Sequence, residues 1–266
     1  MKLPAQLYRQ FDADHRRAVP AAGYAGWHTV TAELAPAHTA LVIMHAWDCG
    51  TPDAFPGWRR AVEYTPRAEK ILRDVFPPLL SAVRASPLPV FHVVGGRDYY
   101  SHLPGFQHAL RNPTPRPPPL VKSDPRYQQL RELRAEQGSP GTHNRADIAA
   151  GFLQLNFAPQ ARPLGQEGIA ENGDQLAALC RAHQINHLVY VGFALNWCIL
   201  MSPGGMVDMG RHGCLCSTIA EATTAVENHE TAATEREKAQ ALWRVALEFG
   251  FVFHLPDFLQ ALPSRP

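Results

Sequence analysis

The stretch of residues 187–201 constrains the fold more than any other part of the sequence. It begins with His187–Gly192, an apolar run of strand length that is typical of a parallel strand buried on both faces. Gly192 marks a turn, and the pattern after it predicts a helix that begins near Cys198. A buried strand that runs through a glycine turn into a helix favours an α/β fold.

Five further segments of strand length alternate with helical patterns along the chain. They are residues 38–45, 89–94, 152–157, 214–219 and 251–255. We predict helices at 65–86, where Pro77-Pro78 should divide the helix in two, and at 172–183 and 230–249. The alternation predicts a three-layer, Rossmann-like α/β/α sandwich with a mostly parallel six-stranded sheet.

Two segments fall outside this pattern. Residues 1–36 are broken by prolines and glycines, and we interpret them as an N-terminal extension with a short strand at 28–34. The main domain is then 37–266. Within it, the proline-rich segment 97–150 is interpreted as an insertion with one amphipathic helix at 126–137, serving either as an active-site lid or as an oligomerisation arm.

Composition disfavours several classes of function. Lys and Arg number 25 against 24 Asp and Glu, so no basic field is available to attract nucleic acid. The sequence shows neither a signal peptide nor an apolar run that would span a membrane, which predicts a soluble, cytoplasmic protein. Its five cysteines form no CxxC pair, which fits a reducing compartment and leaves at least one cysteine available for thiol chemistry.

Cys198 is the strongest candidate for that chemistry. At the start of a helix that follows a parallel strand, the helix dipole and unpaired N–H groups favour a thiolate. The same amides can hold an oxyanion, so attack on a carbonyl would find its stabilising groups in place. The alternative is that Cys198 is simply a small buried apolar residue.

The wider pattern resembles a known superfamily. Residues 184–202, followed by Gly210 and by 220–231, resemble the carboxyl half of the isochorismatase-like cysteine hydrolases, in which an apolar strand leads to Gly-x-Ala-x-(Asp/Asn)-x-Cys. Residues 40–45 and 75–94 resemble the amino half. That superfamily includes nicotinamidases, carbamoylsarcosine amidases and ureide or biuret hydrolases. The resemblance covers roughly 38–95 and 152–255.

The resemblance implies specific roles. Cys198 falls on the nucleophile, the amides of Ala194 and Cys198 fall on the oxyanion hole, and the Phe193–Ala194 bond falls on a cis peptide. Two departures stand out. His45 occupies the position of the family's aspartate base, and residues 152–186 contain no counterpart of its lysine.

A Cys198–His45 dyad is chemically sound, because the free pKa of histidine suits proton transfer at neutral pH. Asp48 would orient His45, replace the missing carboxylate of the family's aspartate, or cap its own loop. The residues expected to line the pocket are Trp47, Phe193, Leu195 and Trp197, although core packing explains the tryptophans almost as well.

The leading hypothesis is therefore a hydrolase that acts on a small amide, ureide or related carbonyl compound through a cysteine thioester, without a cofactor. The first alternative is a catalytically silent protein of the same fold that binds a ligand or partner. A weaker alternative is a metal-dependent hydrolase that uses Asp98, His102 and His108, whose spacing does not reproduce the family's Asp-x-His pattern. The resemblance also implies a homo-oligomer.

Overall fold

An eight-stranded sheet forms the middle layer of the computed structural model, which describes residues 1–51, 53–112 and 124–265. In chain order the strands are β1 (Lys2–Arg9), β2 (Gly26–Glu33), β3 (Thr39–Met44), β4 (Trp47–Asp48), β5 (Val90–Val93), β6 (Asn156–Phe157), β7 (Gly168–Ala170), β8 (His187–Gly192), β9 (Leu215–Thr223) and β10 (Val252–Phe253). The order in the large sheet is β2-β1-β10-β9-β8-β3-β5-β7, and β4 pairs separately with β6.

The predicted mostly parallel α/β sheet is confirmed, but its strand number is not. The six strands from β10 to β7 are parallel to their neighbours, whereas β1 and β2 add an antiparallel hairpin at one edge. β2 matches the strand expected at 28–34, while β1 was not predicted. Pro4 and the mixed polar residues of β1 give no strand pattern in the sequence. The strand forms because it pairs along its length with β2 in the hairpin.

The third predicted strand, 152–157, is wrong. Its first two residues end a helix, and only Asn156–Phe157 is extended, pairing with β4 outside the large sheet. The edge position belongs instead to β7, which is three residues long and starts with glycine. A Cβ on Gly168 would lie 2.7 Å from a methyl carbon of Leu179, so the close packing at this position favours a residue without a side chain.

Helices cover both faces of the sheet. In chain order they are α1 (Pro56–Ala61), α2 (Thr65–Asp74), α3 (Phe76–Arg84), α4 (Gln107–Leu110), α5 (Pro125–Gln137), α6 (Arg145–Leu153), α7 (Gly173–His183), α8 (Met206–Arg211), α9 (Arg236–Arg244) and α10 (Leu255–Ala261). The predicted division at Pro77-Pro78 is confirmed, because both prolines lie in the first turn of α3. Helix α9 is shorter than predicted and continues as a π-helical turn, Val245–Phe249.

The central strands show why this is a three-layer structure. Leu41 and Ile43 of β3 pack into one apolar cluster with α2, α3 and α10. Ala40, Val42 and Met44 of the same strand pack into a second cluster with α7, α8 and α9. Alternate side chains of one fully buried strand thus fill two cores, which explains why the strand has no polar face.

The hairpin of β1 and β2 joins the sheet through one pair of residues in the register of β1 and β10. Gln6 pairs with Val252 of β10, and β10 itself pairs in parallel with β9. Leu3 and Ala5 of β1 are buried in the first apolar cluster. The N-terminal segment therefore extends the main sheet and contributes to its core.

The segment from 97 to 150 is largely helical where it is described. It contains α4, α5 and most of α6, and the predicted helix at 126–137 is confirmed as α5. Five of the prolines that suggested an insertion, residues 113, 115 and 117–119, lie outside the described residues. Among the helices that are described, none is long and apolar enough to cross a membrane.

Candidate active site

The carboxyl end of β8 leads into a tightly held turn. The Phe193–Ala194 peptide bond is cis, as predicted, and a π-helical turn follows at Leu195–Ile199. The side chain of Asn196 fixes this turn by accepting the Val226 N–H at 2.9 Å and donating to the Val226 carbonyl at 2.8 Å. The helix predicted near Cys198 is therefore present, but it begins at Leu195 as a π-helical turn in which Cys198 is the fourth residue.

The backbone around Ala194 leaves one amide unused. The Phe193 N–H donates to Met44 O at 3.1 Å, and the Leu195 N–H donates to Thr224 O at 2.7 Å. No hydrogen bond within the described residues uses the Ala194 N–H, although Ala194 is fully buried. A buried N–H without an acceptor is rare, so this amide is available to an oxyanion.

Cys198 is partly buried beside the second apolar cluster. A Cys198 thiolate would raise the pKa of the Tyr64 hydroxyl, because its negative charge opposes ionisation of that group. Burial is the larger effect, and it raises the pKa of Tyr64 well above its usual value. Tyr64 is therefore a neutral phenol that donates or accepts a hydrogen bond without carrying charge.

His45 follows β3 directly and lies at the carboxyl edge of the sheet. Its N–H continues the pairing with β5 by donating to Val93 O at 3.1 Å, and its φ of 50° turns the chain away from the strand. The ring stacks on Trp47 with centroids 4.7 Å apart. Burial lowers the pKa of His45 to about 4, so the imidazole is neutral at pH 7.

One nitrogen of His45 has no protein partner. Nδ1 is buried and makes no hydrogen bond within the described part of the chain. Nε2 faces Gly95, where an added Cβ would lie 3.4 Å away. The ring therefore retains unused capacity to donate or accept a hydrogen bond.

A cavity of about 410 Å³ opens beside His45. Its lining includes His45, Trp47, Asp48 and Phe193, which the sequence predicted for the site, and also Cys49, Trp58 and Tyr64, which it did not. Trp47 is fixed because its Nε1–H donates to the Tyr99 hydroxyl at 2.9 Å. Aromatic rings therefore form much of the wall, as in many small-molecule sites.

Four of the predicted site residues lie outside this wall, namely Ala194, Leu195, Trp197 and Cys198. Leu195 is fully buried in the second cluster, and Trp197 is 54% exposed, so neither lines the cavity. The π-helical turn places successive side chains differently from the α-helix that was assumed. Cys198 itself is not among the lining residues, although a negative charge on it would raise the pKa of Tyr64, which is one of them.

Asp48 caps its own loop, which is one of the roles predicted for it. Its Oδ1 accepts the Gly50 N–H at 2.9 Å, and the side chain is exposed. It makes no hydrogen bond to His45 within the described residues. The geometry does not support a role for Asp48 in orienting the imidazole.

The weak metal candidates do not come together. Within the described residues, no group of three or more His, Cys, Asp or Glu side chains could hold a metal ion, and this includes Asp98, His102 and His108. No lysine lines the cavity in the same part of the chain. The partly buried Lys238 instead lies near the carboxylates of Glu221, Glu227 and Glu235, and burial lowers its pKa.

Three residues of the wall, Cys49, Trp58 and Tyr64, were not among the site residues predicted from the sequence. Tyr64 immediately precedes Thr65-Pro66, where α2 begins. Cys49 is a different case, since burial raises the pKa of its thiol to about 11. Position after the apolar run 38–45 was the available signal for Cys49. No local pattern marks Tyr64, because the start of α2 reaches the cavity only through the tertiary fold.

Comparisons with known proteins give the following similarities. No protein-family model and no curated protein matches the chain. A cysteine hydrolase from Pseudomonas syringae pv. phaseolicola 1448A is 14% identical, with a TM-score of 0.49 over 85% of this chain and 93% of that one. An isochorismatase-like hydrolase from Alkaliphilus metalliredigens is 16% identical, with a TM-score of 0.48 over 84% and 98%. The N-carbamoylsarcosine amidase from Thermoplasma acidophilum is 15% identical, with a TM-score of 0.41 over 82% and 96%.

Proposed function

We propose that this chain is a cysteine hydrolase of the isochorismatase-like superfamily that cleaves a small amide, ureide or related carbonyl compound through a thioester on Cys198. The observation that carries this proposal is the unused Ala194 N–H, four residues before a partly exposed cysteine in a fixed turn. A purely structural cysteine needs no such amide beside it.

The reaction has two halves. The Cys198 sulfur attacks the carbonyl carbon, and the resulting oxyanion is held by the N–H groups of Ala194 and Cys198. His45 takes the thiol proton and gives it to the departing nitrogen, which leaves as the amine while the thioester forms. Water then attacks the thioester carbonyl, which releases the carboxylic acid and restores the free thiol of Cys198.

His45 determines the resting state of this pair. With a pKa of about 4, the imidazole is harder to protonate than free histidine by about 3 kcal/mol. A resting thiolate–imidazolium pair is therefore disfavoured. In the proposed mechanism, the proton moves to the His45 ring as the sulfur attacks, and the ring can accept it because it is neutral at pH 7.

The cavity fits an uncharged small molecule. Two charged residues of its lining are paired, Glu69 with Arg59 and Arg73 with Asp74, and aromatic surface comes from Trp47, Trp58, Tyr64 and Phe193. A volume of about 410 Å³ is within the range of small-molecule sites. These features support a neutral carbonyl substrate.

The pH dependence tests the role of His45. If His45 is the base, we expect kcat/KM to stay level as the pH falls from 8 to about 5 and to drop near pH 4, because protonation of the buried ring removes the base. The His45→Gln variant should be slower and should lack this acidic limb. A limb near pH 6.5 that persists in His45→Gln would contradict the assignment.

Acid also weakens the fold, so stability must be monitored in parallel. The folded pKa of His45 is lower than the unfolded value of about 6.5, so its contribution to stability is complete above pH 6.5 and declines towards pH 4. His187, whose pKa is also about 4, gives the same trend. Circular dichroism at each pH therefore separates loss of the base from loss of the fold.

A thioester can be observed directly. Incubating the protein with a panel of small carboxamides, ureides and activated esters, followed by acid quenching and intact-mass measurement, should show an acyl adduct. The adduct should map to the tryptic peptide 182–211, which contains Cys198 and no other cysteine. Adducts on any other cysteine-containing peptide would refute the assigned nucleophile.

The second candidate is a catalytically silent protein of the same fold that binds a ligand in this cavity. It is favoured by the replacement of the family's aspartate with a weakly basic histidine and by the absence of Cys198 from the cavity lining. Ligands that raise the melting temperature of the protein, without turnover or adduct at any pH, would select this alternative.

We also propose that the chain forms a homo-oligomer through α5. None of the α5 residues is buried, and Leu130 and Leu133 are 65% and 56% exposed. In an antiparallel pair of α5 helices, Leu130 of one copy lies opposite Leu133 of the other, so the apolar contact is self-complementary. Light scattering that gives the mass of a monomer at micromolar concentration would contradict this.

A further inference from the structure

A second cavity, of about 470 Å³, lies at the end of the sheet opposite the candidate active site. It is lined by Thr39, His187 and Leu215, which are the first residues of β3, β8 and β9. Residues 32–35, at the end of β2, and Phe251 form much of the remaining wall. The candidate active site lies at the carboxyl ends of β3 and β8, so the length of these strands separates the two cavities.

The side chain of His187 faces this cavity, although the residue is only 7% exposed. Its ring lies beside Phe253 and Ser217, with Nε2 2.7 Å from the Ser217 Oγ. Ala32 and Leu34 of the cavity wall belong to the same apolar cluster as Phe253, so the ring is on the cavity's side of the sheet. Nδ1 makes no hydrogen bond within the described part of the chain, and protein atoms do not enclose it. This nitrogen therefore opens onto the cavity.

The hydrogen bonds of Ser217 determine which nitrogen of His187 carries the proton. Ser217 Oγ accepts the Phe251 N–H at 3.0 Å, and within the described residues its only other hydrogen-bond partner is His187 Nε2. The Ser217 hydroxyl therefore donates to Nε2, which leaves the ring proton on Nδ1. Burial lowers the pKa of His187 to about 4, so the ring is neutral at pH 7. His187 thus presents one N–H donor to the cavity.

The other polar residues of the wall are acceptors. His38 Nδ1 donates to the backbone carbonyl of Gln184 at 2.7 Å, so in the neutral ring Nε2 is an acceptor. Glu33 contributes a carboxylate, and its contact with Lys2 is exposed and therefore weak. No lysine or arginine lines the cavity within the described residues, and Leu34 supplies apolar surface. These features favour an uncharged ligand that both accepts and donates hydrogen bonds.

We propose that this cavity binds a small, uncharged carboxamide. Its carbonyl oxygen accepts the Nδ1–H of His187, and its N–H groups find acceptors in Glu33 and His38. An apolar substituent packs against Leu34 and Phe251. A carboxylate of the same shape has no N–H to donate and is repelled by Glu33. The inference is independent of the proposed hydrolase activity, because the two cavities share no lining residue among those described.

Benzamide and benzoate are matched probes, since they share a ring but differ in charge and in N–H groups. The full-length Cys198→Ala variant, with ¹⁵N-labelled histidine side chains, is titrated with each, so that turnover at the candidate active site cannot consume benzamide. We expect benzamide to shift the His187 nitrogen resonances saturably, with a dissociation constant of about 1 mM, and benzoate to bind about tenfold more weakly. His187→Gln and His45→Gln variants assign the two signals.

Ala35→Trp should close the cavity without altering His187. Ala35 is exposed and lines the cavity, so its tryptophan variant should keep the fold and the Nδ1–H tautomer but lose the benzamide shifts at His187. Ala37→Trp is the matched control, because Ala37 is exposed but does not line the cavity, and it should retain them.

Several results would overturn the proposal. They are a His187 ring that carries its proton on Nε2 in the free protein, benzamide shifts at His45 with none at His187, equal binding of benzoate and benzamide, and benzamide shifts at His187 that survive Ala35→Trp. Benzamide shifts at His187 alone, lost in Ala35→Trp and kept in Ala37→Trp, would establish the second site.

Discussion

The Cys198→Ala variant is expected to lose at least about 1,000-fold in kcat/KM, or about 4 kcal/mol of transition-state stabilisation, on any substrate that the wild-type protein hydrolyses. The loss is large because the covalent pathway disappears with the sulfur, while the oxyanion amides and the cavity remain. Intact-mass measurement should show no acyl adduct on this variant. The fold should persist, since Cys198 is only partly buried and alanine removes one sulfur atom.

Cys214→Ala provides the matched control for this variant. Cys214 is also partly buried, but it lies at the opposite end of β8 and should leave turnover within about twofold of wild type. Comparable rates for Cys198→Ala and wild type would eliminate the thioester mechanism. Equal loss in both variants would point to a shared effect on folding, which circular dichroism would reveal.

Gly192→Ala is expected to destabilise the protein by more than about 4 kcal/mol, enough to prevent accumulation of folded chain. Gly192 has a φ of 121°, and a Cβ there would lie 2.1 Å from the carbonyl oxygen of Met44. That oxygen belongs to the backbone of β3 and accepts the Phe193 N–H. Neither strand can retreat without breaking the pairing at the centre of the sheet.

Gly210→Ala is the control for that substitution. Gly210 lies in α8, and a Cβ there would meet no heavy atom within 4 Å. Alanine should therefore keep or raise the free energy of unfolding by up to about 1 kcal/mol. Soluble yield and urea denaturation measure both variants, and a stable, folded Gly192→Ala protein would refute the packing argument.

The central strands of the sheet could be predicted from the sequence because the apolar pattern that identifies each strand lies within that strand. β3 and β8 are apolar throughout, since both faces of a central parallel strand are covered, and length alone separates such runs from helices. The position of His45 followed from β3, because the residue after a parallel strand lies at the carboxyl edge of the sheet. The cis bond at Phe193–Ala194 came from the family resemblance alone.

The remaining features depend on tertiary context. β7 has three residues and depends on the fit of Gly168 against Leu179, so no apolar run marks it. The alternating residues 152–157 resembled a strand, but their first part ends α6. At the site, Leu195 and Trp197 were misplaced because a π-helical turn is indistinguishable in sequence from the start of an α-helix. Tyr64 reaches the cavity only after α2 packs.

The attachment of the N-terminal hairpin has a consequence for biosynthesis. The partner of Gln6, Val252, is made 246 residues after it. At about 5–20 residues per second, the hairpin waits roughly 12–50 s with one strand edge unsatisfied. During that interval Leu3 and Ala5 lack the part of their apolar cluster that Phe253 and Phe258 supply. The nascent chain thus exposes an unpaired strand edge on the β1–β2 hairpin until β10 has been translated.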